Sequence, residues 1–227
     1  MHKFRIYTKP WIVHELAPAR YARAQKILRI LKKTYPRARM ALKYGNNFQL
    51  LVAVMLSAQC TDKKVNEVTP ALFKKYKTAR DFARARQQDI ERMIYQTGFY
   101  RAKARNIIAA AQKIERAFAG SLPRTMAEMV TIPGIARKSA NVILGNAYGV
   151  VQGIAVDTHV GRLAQRWGLA DTDNPLKIEQ KLMVLVPKKD WFKFTYMTIE
   201  HGRATCTAQR RKCQTCPLKN ICPSSLV

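Results

Sequence analysis

The sequence predicts an all-α protein. Apolar residues recur at helical spacing in one segment after another, capping residues open those segments while glycine or proline closes them, and strand signals are nearly absent. With 227 residues and 48% hydrophobic content the chain is globular, long enough for one large domain or two small lobes with a sizeable core.

The elements follow in order. Tyr21, Ala24, Leu28 and Leu31 share one helical stripe. Phe48 to Ala58 is an almost continuous apolar run rich in Leu, Ala and Met, which reads as a buried central helix, with Cys60 at its end as a small core residue. The segment from Val65 to Tyr76 is expected to split at Pro70. Thr78 and Asp81 form a capping box opening a helix through Arg84, and Gln88 to Tyr95 reads as the next helix. Ala102 to Phe118 places Ile107, Ala111, Ile114 and Phe118 on one stripe, and Thr125 with Glu128 caps the short helix before Thr131. Pro133 and Gly134 make a turn before a helix from Ala136 to Ala147, stopped by Gly149, so residues 40–150 hold about six helices. Beyond it, Asp157 or Thr158 caps a helix bearing Val160, Leu163, Ala164 and Trp167. Asn174 and Pro175 open another to about Val186, and Asp190 precedes a helix with Trp191, Phe194 and Met197, closed by Gly202.

Charge narrows the function. The formal net charge is +27 at pH 7, an excess that is self-repelling unless a polyanion offsets it, and nucleic acid is the natural partner. Both ends are basic: residues 1–47 hold twelve Lys or Arg against Glu15 alone, and residues 201–227 hold five and no acid. The first dozen residues read equally as part of a basic face or as a mobile tail. No run of 18 apolar residues occurs, which excludes a membrane-spanning helix, and the first 25 residues lack the apolar stretch of a secretory signal. An intracellular protein is expected, in cytoplasm or nucleoid for a prokaryote.

Two local patterns suggest chemistry. Lys138 falls in the first turn of a helix, where the dipole disfavours a cation by about a few tenths of a kcal/mol, and a partly dry site would leave more free, nucleophilic amine. Asp157 suits a plain N-cap, yet it is the one acid between Glu128 and Asp171. At the C-terminus Cys206, Cys213, Cys216 and Cys222 stand in a C-x6-C-x2-C-x5-C array. Four thiolates in so short a loop can wrap a metal centre. Four-cysteine zinc sites usually use two C-x2-C knuckles and only one is present, so an iron-sulfur cluster fits better than zinc.

Leu56-Ser57-Ala58-Gln59-Cys60-Thr61-Asp62, Ile132-Pro133-Gly134-Ile135-Ala136-Arg137-Lys138, Val156-Asp157-Thr158-His159 and the four-cysteine loop resemble, in this order, the motifs of the endonuclease III family. The resemblance runs from about Lys43 to Cys222. It implies a two-lobed helix-hairpin-helix DNA glycosylase fold: a six-helix lobe over 40–150, and an iron-sulfur lobe in which 1–39 packs with 151–227. It implies a bifunctional glycosylase and AP lyase of base excision repair, acting as a monomer on duplex DNA that contains damaged bases or abasic sites. By resemblance Lys138 attacks C1′ to form a Schiff base, and Asp157 stabilises the oxocarbenium-like sugar and shuttles protons. The four cysteines would hold a [4Fe-4S] cluster.

For DNA contacts the resemblance implies Gly134, Ala136 and Arg137 of the hairpin on a phosphate and Gln59 filling the space of the flipped base. Phe99 would wedge into the duplex, against a plain alternative as a core aromatic. His159 would lie near the pocket or sit satisfied on its helix. Arg203, Arg210, Arg211 and Lys212 would meet phosphates. Three departures stand out: Ala136 replaces a frequent glycine and needs a conformation that a Cβ allows, Ser139 replaces a frequent threonine, and Arg101 a smaller polar residue. Three readings follow. The enzyme removes oxidised pyrimidines such as thymine glycol. Or it removes a mismatched or other base, such as adenine opposite oxidised guanine, although adenine-removing relatives normally lack the lysine. Or the chain is a DNA-binding module without chemistry, against which Lys138 and Asp157 both argue.

Overall fold

The computed structural model describes Ile12 and residues 14–227, so the expected basic tail of the first dozen residues lies, Ile12 apart, outside the described residues. Among the described residues there is no strand beyond one isolated bridge between Cys206 and Arg211, and the architecture is all-α. No helix in that range is long and apolar enough to cross a membrane. The chain forms two compact units, Ala41–Gln152 and the described part of Met1–Met40 with Gly153–Val227.

In the unit Ala41–Gln152 the centre is α2, Asn47–Leu56, whose residues from Phe48 to Leu56 are all buried. The Asn46 side chain opens it by accepting the Gln49 amide at 2.9 Å. The helices α3 (Asp62–Lys75), α6 (Tyr100–Phe118) and α8 (Arg137–Tyr148) pack around it. Short helices α4 (Ala79–Ala83) and α5 (Gln87–Ile94) lie on α6, and α7 (Met126–Met129) precedes α8. These are seven α segments where the sequence suggested about six, and the short α7 capped by Thr125 is among those expected. Thr78 and Asp81 form the capping box, and Gly149 ends α8 at φ 68°.

Three expectations in this unit are corrected. Pro70 does not split α3, which is continuous from Asp62 to Lys75. Buried Val65, Thr69 and Leu72 hold both halves, and Asn66, four residues before the proline, is anchored by its side chain to Ala41 O at 2.9 Å and Lys43 N at 2.8 Å, which fixes the turn that lacks one helical bond. The helix expected through Ala58 stops at Leu56, and Cys60 lies half-exposed in the following turn rather than in the core. Phe99 is no core aromatic either: it is 64% exposed.

In the other unit α9 (Thr158–Arg166) packs on α10 (Pro175–Leu185) and α11 (Trp191–Ala204), and α1 (Ala17–Thr34) covers α10 and α11. Ala24, Ile27, Leu28 and Leu31 form the buried stripe of α1, with Ile27 rather than Tyr21, which is exposed. Arg23 joins α1 to the end of α9: its guanidinium reaches Glu15 and donates to Trp167 O and Gly168 O at 2.9 Å each. Asp190 does not cap α11 with its side chain but pairs with Lys32 at 2.7 Å. Gly202 does not stop α11, which continues to Ala204. A Cβ there would meet His159 Nδ1 at 2.7 Å, so close approach of α9 explains the glycine.

Candidate functional site

The segment Thr131–Lys138 joins α7 to α8. Ile132 and Ile135 are buried and anchor it, and the Ile135 amide closes a turn onto Ile132 O at 3.0 Å. Gly134 sits at the third position of that turn with φ 80°, the conformation a type II turn demands there. A Cβ on it would lie 2.9 Å from Met55 Cε, the movable end of a flexible side chain, so it is the chain conformation that selects glycine. Ala136 is the N-cap of α8 with φ −94° and ψ 168°, extended backbone that any residue adopts, so its Cβ causes no strain.

No side chain caps α8 and no acid lies in its first turn, so its amide end is presented by main chain alone. Lys138 is exposed at the second helical position, with Arg137 half-buried before it. The partly dry environment that the sequence allowed for Lys138 is therefore not met within the chain itself.

Two further predicted residues share an unusual backbone. Gln59, exposed in the turn after α2, has φ 52°, and Phe99, the N-cap of α6, has φ 49°. Left-handed conformations cost a side-chain-bearing residue about 1 kcal/mol or more, and such strain gathers where a side chain must be presented. Sequence reasoning missed the residue behind both turns. Lys103, 7% exposed, donates from Nζ to Leu56 O and to Thr97 O, each at 2.8 Å. Burial lowers its pKa, and Cys60 acts weakly the other way. A signal was present: Lys103 stands one turn before Ile107 on the buried stripe of α6.

Asp157 is half-buried as the N-cap of α9, its Oδ1 accepting the amides of His159 at 2.9 Å and Val160 at 2.8 Å. The His159 ring is engaged, Nδ1 lying 3.2 Å from Arg162 Nη2. Burial, followed by opposing effects of Asp157 and of Arg162 and Arg203, lowers its pKa. Arg203, Arg210 and Lys212 are exposed. Arg211 is half-buried and donates to Ser224 O at 3.0 Å, so it ties the C-terminal loop together.

The four cysteines line one cavity with Arg166, Trp167 and His201. Nitrogen atoms face the sulfurs: Arg166 Nη1 is 3.1 Å from Cys206 Sγ, the Leu218 amide 3.4 Å and His201 Nε2 3.7 Å from Cys216 Sγ. Burial pushes the Cys216 thiol up and that of Cys222 up to about 11, and the neighbouring sulfurs add to both. Thiolates so crowded repel one another until a cation sits among them, and the donors around them suit anionic sulfur, so this set fits a metal-sulfur centre. Among the described residues no three His, Cys, Asp or Glu side chains converge on a single-ion site.

A helical chain whose hairpin turn leads into an uncapped helix, followed by a half-buried aspartate cap, defines the class: the HhH-GPD superfamily base excision DNA repair proteins, whose family profile matches residues 52–188. Endonuclease III of Synechocystis sp. is 51% identical over 203 residues, 89% of this chain and 93% of that protein, and endonuclease III of Bacillus subtilis is 43% identical over 83% of this chain and 86% of that protein. A solved trapped endonuclease III–DNA covalent intermediate superposes with a TM-score of 0.87 at 39% identity, covering 90% of this chain and 96% of that one. The chain belongs to the endonuclease III family, and is a base excision repair enzyme of the DNA glycosylase and AP lyase class.

Proposed function

We propose that the chain excises oxidised pyrimidines from duplex DNA and then cleaves the abasic site, with Lys138 as nucleophile. The observation that supports this most is Lys138 itself, an exposed amine at the start of a helix whose amide end has no side-chain cap. The Lys138 amine bonds to C1′ as the base leaves with the electrons of the glycosidic bond, and loss of a proton from nitrogen with ring opening gives the Schiff base. Removal of a C2′ proton then expels the 3′ phosphate by β-elimination. The Asp157 carboxylate offsets the positive charge that grows on the sugar and carries the protons. Gly134, Ala136 and Arg137 hold a phosphate of the duplex at the start of α8. Gln59 and Phe99 enter the base stack as the damaged base leaves it. His159, Arg203, Arg210 and Lys212 add to the DNA-facing surface, and Arg211 supports it from within the loop. The protein acts as a monomer inside the cell.

Cys206, Cys213, Cys216 and Cys222 would hold a [4Fe-4S] cluster, which when bound closes the loop through four iron-thiolate bonds. The hydrogen-bond donors at the sulfurs support this reading. Iron and sulfide assays are expected to give four of each per chain, and stoichiometric zinc instead would remove the cluster.

Borohydride reduction in the presence of thymine-glycol duplex is expected to trap a covalent complex with the parent protein and none with Lys138→Gln. Equal trapping by that variant would take Lys138 out of the mechanism. Single-turnover cleavage of duplexes carrying thymine glycol, dihydrouracil, a T:G mismatch or adenine opposite 8-oxoguanine fixes the lesion class. Preference for either of the last two would overturn the oxidised-pyrimidine reading.

A further inference from the structure

Lys103 is buried on the apolar stripe of α6, and the partners of its ammonium are main-chain carbonyls from two separate segments. Leu56 O ends α2, three residues before Gln59, and Thr97 O lies two residues before Phe99. Each oxygen is 2.8 Å from the same nitrogen, so they lie within twice that distance of each other. The Lys103 amide also donates to Phe99 O at 3.0 Å, so this one residue grips the segment on both sides of Gly98. Thr97 is fixed in turn, its hydroxyl donating to Ile94 O at 2.8 Å.

What this clasp joins are the turns of the two exposed, left-handed residues Gln59 and Phe99. The third such residue among the described ones, Ala119, ends α6 at its far terminus. A side chain in a left-handed turn returns to easier backbone unless neighbouring atoms hold it. The Ser57 hydroxyl on Val54 O at 2.8 Å and the Cys60 amide on Ser57 O at 3.2 Å hold the first turn locally, but neither reaches the second. Lys103 does.

We propose that Lys103 is a positioning residue for base extrusion: it fixes the separation of Gln59 and Phe99 so that both enter the duplex together. The proposal rests on the reading that these two residues act in the stack. An ammonium suits the task, since it donates in several directions and is favourably placed at the carboxyl end of α2, where the carbonyl of Leu56 has no helical partner. Lys103 is buried, with its ammonium spent on main-chain carbonyls of the chain itself. Its effect belongs to opening the stack and leaves the lyase step alone.

The test compares duplex DNA with a substrate that has no stack to open. Lys103→Met keeps the length and the apolar stem but removes the donors, and Lys103→Gln serves the same purpose should the first variant not fold. The expected result is a fall of about tenfold or more in single-turnover excision from thymine-glycol duplex, the rate equivalent of one net hydrogen bond. Cleavage of an abasic site in a single-stranded oligonucleotide stays within about twofold. The fluorescence rise of 2-aminopurine placed beside the lesion, which reports unstacking on binding, shrinks in parallel. Excision and fluorescence at parent levels in a folded variant, or equal loss on duplex and single strand, would overturn the proposal. Gln59→Ala and Phe99→Ala separate the two ideas. If both leave 2-aminopurine fluorescence unchanged, the underlying reading fails. If they reduce it and the Lys103 variants do not, that reading stands and only the clasp is lost.

Discussion

Asp157 Oδ1 accepts the amide of Val160 at 2.8 Å, and the same oxygen accepts that of His159. Both amides bind the one oxygen, so the plain cap and the proposed charge-stabilising carboxylate are compatible in one side chain. They separate by mutation. Asp157→Asn keeps an oxygen for the two amides and removes the charge. Base excision should fall by about a hundredfold or more, within the usual range for a general acid-base group, with little change in melting temperature. Asp157→Ala should lose the same activity and also about 1 kcal/mol of stability. Equal melting temperatures for the two variants would remove the capping role.

Gly134→Ala tests the hairpin turn. The new Cβ would face φ 80° and Met55 Cε at 2.9 Å, and such strain costs about 1 to 3 kcal/mol. Ala136→Gly, at an extended position, should change stability by no more than about 1 kcal/mol, through unfolded-state entropy alone. Denaturant titration of both variants checks the ordering, and a milder effect at 134 than at 136 would contradict it.

How much of this was legible in sequence depended on how far a cause reaches along the chain. The Thr78–Asp81 box and the Asn174–Pro175 start are local, and the structure shows both. The Pro133-Gly134 turn was legible because only glycine suits its third position. The left-handed backbones of Gln59 and Phe99 carry no such mark, since neither is a residue that favours φ above zero. Lys103 was lost among 41 basic residues because its partners, Leu56 O and Thr97 O, are main-chain atoms 47 and 6 residues away. Gly202 looked like a helix stop when what it makes room for is His159, from another helix.

Acid should act on the joint between α1 and α9. The hydrogen bond from Arg23 is the main cause that lowers the Glu15 pKa, opposed by partial burial and aided by the charges of Arg23 and Arg20. A carboxylate lowered in the folded state adds stability above its unfolded pKa of about 4.3, and that share disappears as pH falls through the folded value. Glu15→Gln should therefore melt below the parent at pH 7, and the gap should close on acidification below about pH 4. A gap that is constant with pH would show that the pair contributes through packing and not through charge.

The cysteine loop can be probed through His201, which is fully buried and which burial pushes down to about 4, so its ring carries one proton at neutral pH. The Tyr35 hydroxyl lies 3.1 Å from Nδ1, and Cys216 Sγ 3.7 Å from Nε2. A hydroxyl donating to Nδ1 leaves the proton on Nε2, directed at the sulfur, the arrangement that would support a thiolate ligand. His201→Phe keeps an aromatic ring against Trp167 and Tyr35 while removing that donor. From protein that carries the proposed cluster, iron loss to a chelator should accelerate by roughly tenfold, at the low end of the usual effect of removing such a supporting partner, with helix content unchanged. Tyr35→Phe, which frees the ring to take either tautomer, should fall between the two. His201→Phe that releases iron as slowly as the parent would mean that the loop, and not the Nε2 hydrogen, supports Cys216 in its proposed role as a ligand.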